Sequence, residues 1–128
     1  FYMKQKILSS NAPTPIGPYS QAIKSGNMIF ISGQIAINPK TNALINDNIQ
    51  KETEMVMENI YNILNECNCT FDNVVKCSIF LSNMDLFKSV NEVYGRYFNE
   101  PYPARETVEV SCLPKNVNIE ISAIAICK

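Results

Sequence analysis

Histidine and tryptophan are absent from the 128 residues, and arginine occurs only at Arg96 and Arg105. Without an imidazole the chain cannot assemble a Ser-His-Asp or Cys-His nucleophile, and it lacks the usual general acid–base group. Any chemistry must run on carboxylates, hydroxyls, thiols, amines and backbone. The same absence removes a principal zinc ligand. Cys67 and Cys69 form a C-x-C pair, but no second cysteine pair follows to complete a tetrahedral set, so no metal site is expected. At a net charge of −1 the chain also lacks the concentrated Lys/Arg stripe that phosphate backbones require, and nucleic acid is not an expected partner. No run of about 18 apolar residues could span a membrane. The opening FYMKQKILSSNAPTP carries no signal-peptide pattern, so a cytoplasmic location without a membrane partner is the expectation.

What is present is ordinary globular composition, 46% hydrophobic and 18% charged, without low-complexity segments or repeats. At this length one core is expected, hence a single domain over residues 1–128. Phe1 and Tyr2 precede Met3, which reads as a natural start with two residues added before it. The five cysteines are odd in number, scattered and set mostly in apolar patterns, which suits reduced core thiols better than a disulfide framework.

A Pro/Gly-punctuated lead, NAPTPIGPYSQ, precedes NMIFISGQIAIN, two apolar runs broken by Gly33: one strand with a bulge, or two strands. Between residues 49 and 67 apolar side chains recur with a 3.6-residue period, predicting an amphipathic helix capped by Asp47 or Asn48 and ending near Asn68. Residues 74–81, VVKCSIFL, read as a strand. A second helix, capped by Asn83 or Asp85, carries the stripe Phe87, Val90, Tyr94, Tyr97 and Phe98 and is stopped by Pro101 and Pro103. Two strands, about 106–112 and 117–126, then form a hairpin through LPKN. The fold class is α+β, a single mixed sheet with two helices on one face. The other face is apolar too, which predicts burial against other copies of the chain.

Alternation places Arg105, Thr107, Glu109 and Ser111 on the polar face of their strand, and Asn118, Glu120 and Ser122 on one face of the next. Arg105 and Glu120 can be solvated or salt-bridged strand residues. Alternatively, Arg105 is a planar fork that grips a carboxylate and Glu120 an acid that orients or deprotonates water. Tyr19 fits a packed aromatic or a pocket wall. Ser32 beside Gly33 fits a bulge or a place where a ligand meets exposed backbone, and Asn91 an exposed helix position. Pattern alone leaves these alternatives open.

Four segments, NAPTPIGPYSQA, GNMIFISGQIAINPKT, VNEVYGRYF and PARETVEVSCLPKNVNIEISAIA, in this order and spacing resemble the RidA (YjgF) family of reactive-intermediate deaminases from about Asn11 onward. The resemblance implies a chorismate-mutase-like fold assembled as a homotrimer, its sheets forming a central barrel with three pockets between neighbouring subunits. It implies that Arg105 binds substrate carboxylate, that Glu120 activates water, and that Tyr19, Ser32, Gly33 and Asn91 line the pocket. The implied substrates are 2-aminoacrylate and 2-aminocrotonate, small 2-enamino and 2-imino acids hydrolysed to 2-oxo acids and ammonia. No cofactor is implied, because an iminium carbon is already electrophilic.

Two positions depart from the family pattern. Thr107 stands where many deaminase members have cysteine, so a hydroxyl rather than a thiol would meet water or substrate there. Glu106 occupies a site more often held by a small residue and should face away from Arg105. Competing expectations are an endoribonuclease that inhibits translation, an activity also implied by the family, and a non-enzymatic carboxylate-binding or chaperone-like protein.

Overall fold

The computed structural model describes residues 3–128; the two residues before Met3, read above as added, lie outside them. Six strands, β1 (Gln5–Ile7), β2 (Ala22–Ser25), β3 (Met28–Gln34), β4 (Val74–Leu81), β5 (Ala104–Glu109) and β6 (Ile119–Ile126), alternate with α1 (Ile49–Glu66) and α2 (Phe87–Gly95). They form one mixed sheet in the order β1-β2-β3-β6-β4-β5, antiparallel except where β5 runs parallel to β4.

Helix α1 starts where expected. The Asn48 side chain accepts from the Lys51 amide at 2.8 Å, and Asn68 beyond the C-cap adopts a left-handed φ of 58°. Its stripe of Val56, Met57, Ile60, Ile63 and Leu64 is buried against Ile29, Ile79, Leu81, Ile119 and Ile121 of the sheet. Each such side chain contributes about 1.5–3 kcal/mol on leaving water. β4 spans the predicted residues, and β3 carries its register shift between Ile31 and Gln34, so Gly33 marks a bulge within one strand. Both helices cover one face. On the other, Met28, Phe30, Val108 and Ile126 are each about 40% exposed or more; register places Met28 and Phe30 beside Ile126 and Ile124 in one apolar patch, and Val108 beside Phe80 in a second, with the polar row Ser122, Ser78 and Glu106 between them.

Four expectations need correction. β5 and β6 are not a hairpin: β6 inserts between β3 and β4, and β5 takes the edge beyond β4. The connection passes over the end of β4, where the Val110 amide donates to the Leu81 carbonyl and the Ser82 amide to the Asn118 carbonyl. Left-handed Lys115 (φ 56°) and Asn116 (φ 54°) turn the chain there, a conformation LPKN does not advertise. β1 and β2 flank the lead segment, too short and polar to register as strands in the sequence. α2 stops at Gly95, well before the prolines, preceded by a 3₁₀ turn over Met84–Leu86 that Asn83 caps. Finally, Cys69 and Cys127, 58 positions apart, form a disulfide with a Cα separation of 6.2 Å; Cys67, Cys77 and Cys112 are free, and Cys112 is exposed rather than core. The end of β6 returns to the segment after α1, a proximity that spacing alone cannot show.

Candidate active site

The seven candidate residues separate into two groups on opposite sides of the sheet. Arg105 is registered with Cys77, whose side chain is buried beneath the helices, so Arg105 points under α2. Glu120 is registered with Phe80, one step out of phase, and belongs to the open face. The alternation read from sequence holds, but Arg105 lies against aromatic rings rather than on an open polar face, and within one chain it forms no salt bridge with Glu120. The ion pairs among the described residues join Lys76 to Glu106 and Arg96 to Glu54.

The Arg105 side is a recess of about 460 Å³ lined by Asn91, Tyr94, Gly95, Tyr102, Pro103 and Arg105. Asn91 is drawn into it from α2 rather than left in solvent. Its Oδ1, the Tyr94 hydroxyl and the Thr107 Oγ1 are buried without a hydrogen-bond partner among the described residues. Buried polar atoms are normally paired, so the orphan Asn91 oxygen beside an unpaired guanidinium describes a place prepared for a polar ligand. Burial, and then the Cys77 thiol beside it, pushes the Tyr94 phenol well above its usual range and keeps it a neutral hydroxyl. The recess therefore offers one cation and one amide oxygen beside the Tyr94 phenol, with the Thr107 hydroxyl next along β5 on the same strand face as Arg105.

The Glu120 side is a pocket of about 90 Å³ bounded by Pro13, Thr14, Ile16, Tyr19, Gly33 and Lys115 among others. Glu120 lies over Gly33 so closely that a Cβ there would stand 2.7 Å from its carboxyl carbon and collide with Oε2. Burial raises the Glu120 carboxyl above the ordinary range, and no cation offsets the effect. Tyr19, 51% exposed, forms part of the wall. Ser32 donates its hydroxyl to the Ser20 carbonyl at 2.6 Å, while its amide donates to the Gln21 carbonyl, tying the bulge to the segment that carries Tyr19. Buried Gln21 secures that segment: its amide nitrogen donates to the carbonyls of Ser9, Ala12 and Pro13, and its oxygen accepts from the Ser9 amide.

Sequence reasoning overlooked Gln21 and Glu52. Glu52 is fully buried in the first turn of α1 and accepts from the Asn118 amide at 2.8 Å and from its side chain at 2.9 Å. Asn118 also accepts from the Ser82 hydroxyl, so one network joins α1, the end of β4 and the start of β6, two residues before Glu120. The signal was available: Glu52 is a carboxylate on the same helical face as Val56 and Ile60. Glu106 faces away from Arg105, as expected, and bonds Ser78 and Lys76 on the open face. Those two hydrogen bonds hold its carboxyl below the usual range. Among the described residues no cluster of three or more His, Cys, Asp or Glu gathers as a metal site, and no helix is long and apolar enough to cross a membrane.

Comparison with known proteins places this arrangement. The family model described as Endoribonuclease L-PSP matches residues 9–127. A RutC family protein of Pyrococcus horikoshii is 52% identical over 123 residues, covering 96% of this chain and 98% of that protein. The human protein named 2-iminobutanoate/2-iminopropanoate deaminase is 40% identical over 124 residues, covering 97% and 90%. Among solved structures, RidA from an Antarctic Psychrobacter superimposes with a TM-score of 0.92 at 38% identity, covering 95% of this chain and 98% of that one. Escherichia coli TdcF with bound serine gives 0.91 at 35%, covering 97% and 99%. Agreement in sequence and fold over nearly the whole length makes this chain a member of the Rid family, also described as RutC or L-PSP.

Proposed function

We propose that the protein hydrolyses small 2-enamino and 2-imino acids, 2-aminoacrylate and 2-aminocrotonate, to 2-oxo acids and ammonia. The observation that carries this reading is the pair of incomplete half-sites: an unpaired guanidinium in a recess with the orphan Asn91 oxygen, and a half-buried carboxylate whose raised pKa no cation offsets. Neither half suffices alone. A guanidinium in a recess calls for an anion, and a planar carboxylate is the one its fork matches. A carboxylate with a raised pKa is a stronger base than an exposed one and suits proton removal from water near neutral pH.

Since the sheet separates the two within a chain, the reading requires a second copy, whose Glu120 half faces the first copy's Arg105 half. The exposed apolar patches supply a reason to associate, and a homotrimer closes such a heterologous contact into a ring. In the composite pocket Arg105 holds the substrate carboxylate, Asn91 and Thr107 hydrogen-bond its nitrogen or the attacking water, and Tyr19 and Gly33 bound the opposite wall. Protonation at carbon converts the enamine to an iminium. Water then forms a bond to the iminium carbon while its proton passes to Glu120, and the carbinolamine takes that proton on nitrogen. As the carbon–nitrogen bond breaks and ammonia leaves with the bonding pair, the hydroxyl oxygen forms the carbonyl and gives its proton to Glu120, which releases it to solvent in place of the proton taken up at carbon, and the 2-oxo acid remains. The deaminase names of the human relative and of a chloroplast relative from Arabidopsis thaliana support this class of reaction.

The test couples a pyridoxal-phosphate-dependent serine or threonine dehydratase, as source of the enamine, to keto-acid release. The wild type should accelerate release and Arg105→Ala should not; equal turnover by a folded Arg105→Ala removes the clamp from the mechanism.

A further inference from the structure

We propose that Phe87 and Tyr94 are positioning residues that hold the Arg105 guanidinium by its faces and aim its unoccupied edge at the ligand, a role that rests on Arg105 being the carboxylate clamp. A guanidinium is usually oriented by a neighbouring carboxylate, which occupies the donors that a ligand would need. No such carboxylate serves Arg105: the one hydrogen bond from an arginine side chain among the described residues runs from Arg96 to Glu54. Two rings replace it. The guanidinium carbon lies 4.9 Å from the Tyr94 ring centre and 5.6 Å from that of Phe87, both within cation–π range.

Helix geometry makes the pair possible. Phe87 and Tyr94 are seven residues apart on α2, two turns, so both rings project from one face toward β5. Tyr94 is itself held from behind, its ring 4.7 Å from that of Phe98, which meets Phe71 edge-on at 5.2 Å. The cradle is thus anchored in the aromatic core at Tyr94 and open at Phe87, which is 37% exposed. An aromatic face attracts the cation without accepting its N–H bonds, so the charge is steadied while its donors stay free. Lysine, lacking planar faces, could not be gripped in this way.

Because Tyr94 is buried, its truncation endangers the fold, and Phe87 carries the test. Binding of 2-oxobutyrate is measured by calorimetry for wild type, Arg105→Ala, Phe87→Leu and Phe87→Tyr. Phe87→Leu keeps apolar volume but loses the ring, and should raise Kd about three- to tenfold; Phe87→Tyr should restore it. Loss of binding in Arg105→Ala with wild-type affinity in Phe87→Leu overturns the cradle and leaves the clamp standing. Unchanged binding in Arg105→Ala overturns the clamp, and with it the role assigned to the rings. A second readout needs no ligand. With only two arginines in the chain, Arg96→Lys assigns the Nε–Hε resonances. The Arg105 signal should be ring-current shifted from that of Arg96 and move toward it in Phe87→Leu; an Arg105 signal that the substitution leaves in place contradicts the cradle.

Discussion

Gly33 lacks a side chain where the Glu120 carboxylate needs the space. A Gly33→Ala methyl would meet the far end of a flexible side chain, so the carboxylate should swing away while the fold survives. We expect at least a tenfold loss of kcat/KM in the coupled assay, within the range a misplaced general base accounts for, with little change in Tm. Glu120→Gln should lower kcat about 10²–10⁴-fold. The pH dependence has a definite sign: under the proposed mechanism Glu120 acts ionised, so wild-type kcat/KM should fall with acidification along a limb whose pKa lies above the ordinary 4.5. Glu120→Gln should lose that limb. For stability the sign is opposite. A raised folded-state pKa gives stabilisation that is complete below pH 4.5 and lost as pH rises through the folded value. Glu120→Gln should therefore be no less stable than wild type near neutral pH, measured by urea unfolding; a clear loss would contradict the burial argument.

Between elements, buried polar ties position the half-sites. Glu52 spans from α1 to Asn118, and Glu52→Ala would strand the Asn118 amide and side chain without an acceptor. A loss of about 3 kcal/mol in urea unfolding is expected, since each hydrogen bond to a charged group contributes about 1.5–3 kcal/mol; a loss below about 1 kcal/mol would show that water replaces the carboxylate. These ties also mark where the sequence stopped being readable. α1, β4 and the Gly33 bulge follow from local period and composition, and the in–out alternation of Arg105, Glu106 and Glu120 follows from strand geometry. The position of β6 between β3 and β4 does not, because it depends on the left-handed turn at Lys115 and Asn116 and on contacts across the whole sheet. Nor does the Cys69–Cys127 pair. The candidate site residues were named from motif resemblance, but their separation onto two faces appears only once β4 lies between β5 and β6.

For the whole molecule, the proposed function makes assembly part of the chemistry. Met28, Phe30 and Ile126 leave an exposed apolar patch across β3 and β6 that association would cover. Phe30→Asp, whose backbone pairing is unaffected, should yield a smaller species by sedimentation and a parallel loss of turnover; full activity in a monomer would refute the composite site. The most direct measurement mixes two inactive proteins. Arg105→Ala and Glu120→Gln are refolded together in equal amounts, mixed oligomers are verified by mass, and keto-acid release is followed. If each site takes Arg105 from one copy and Glu120 from its neighbour, random assembly leaves one interface in four with both groups intact, and about a quarter of wild-type activity should return. Verified mixed oligomers that remain as inactive as their parents would contradict the account.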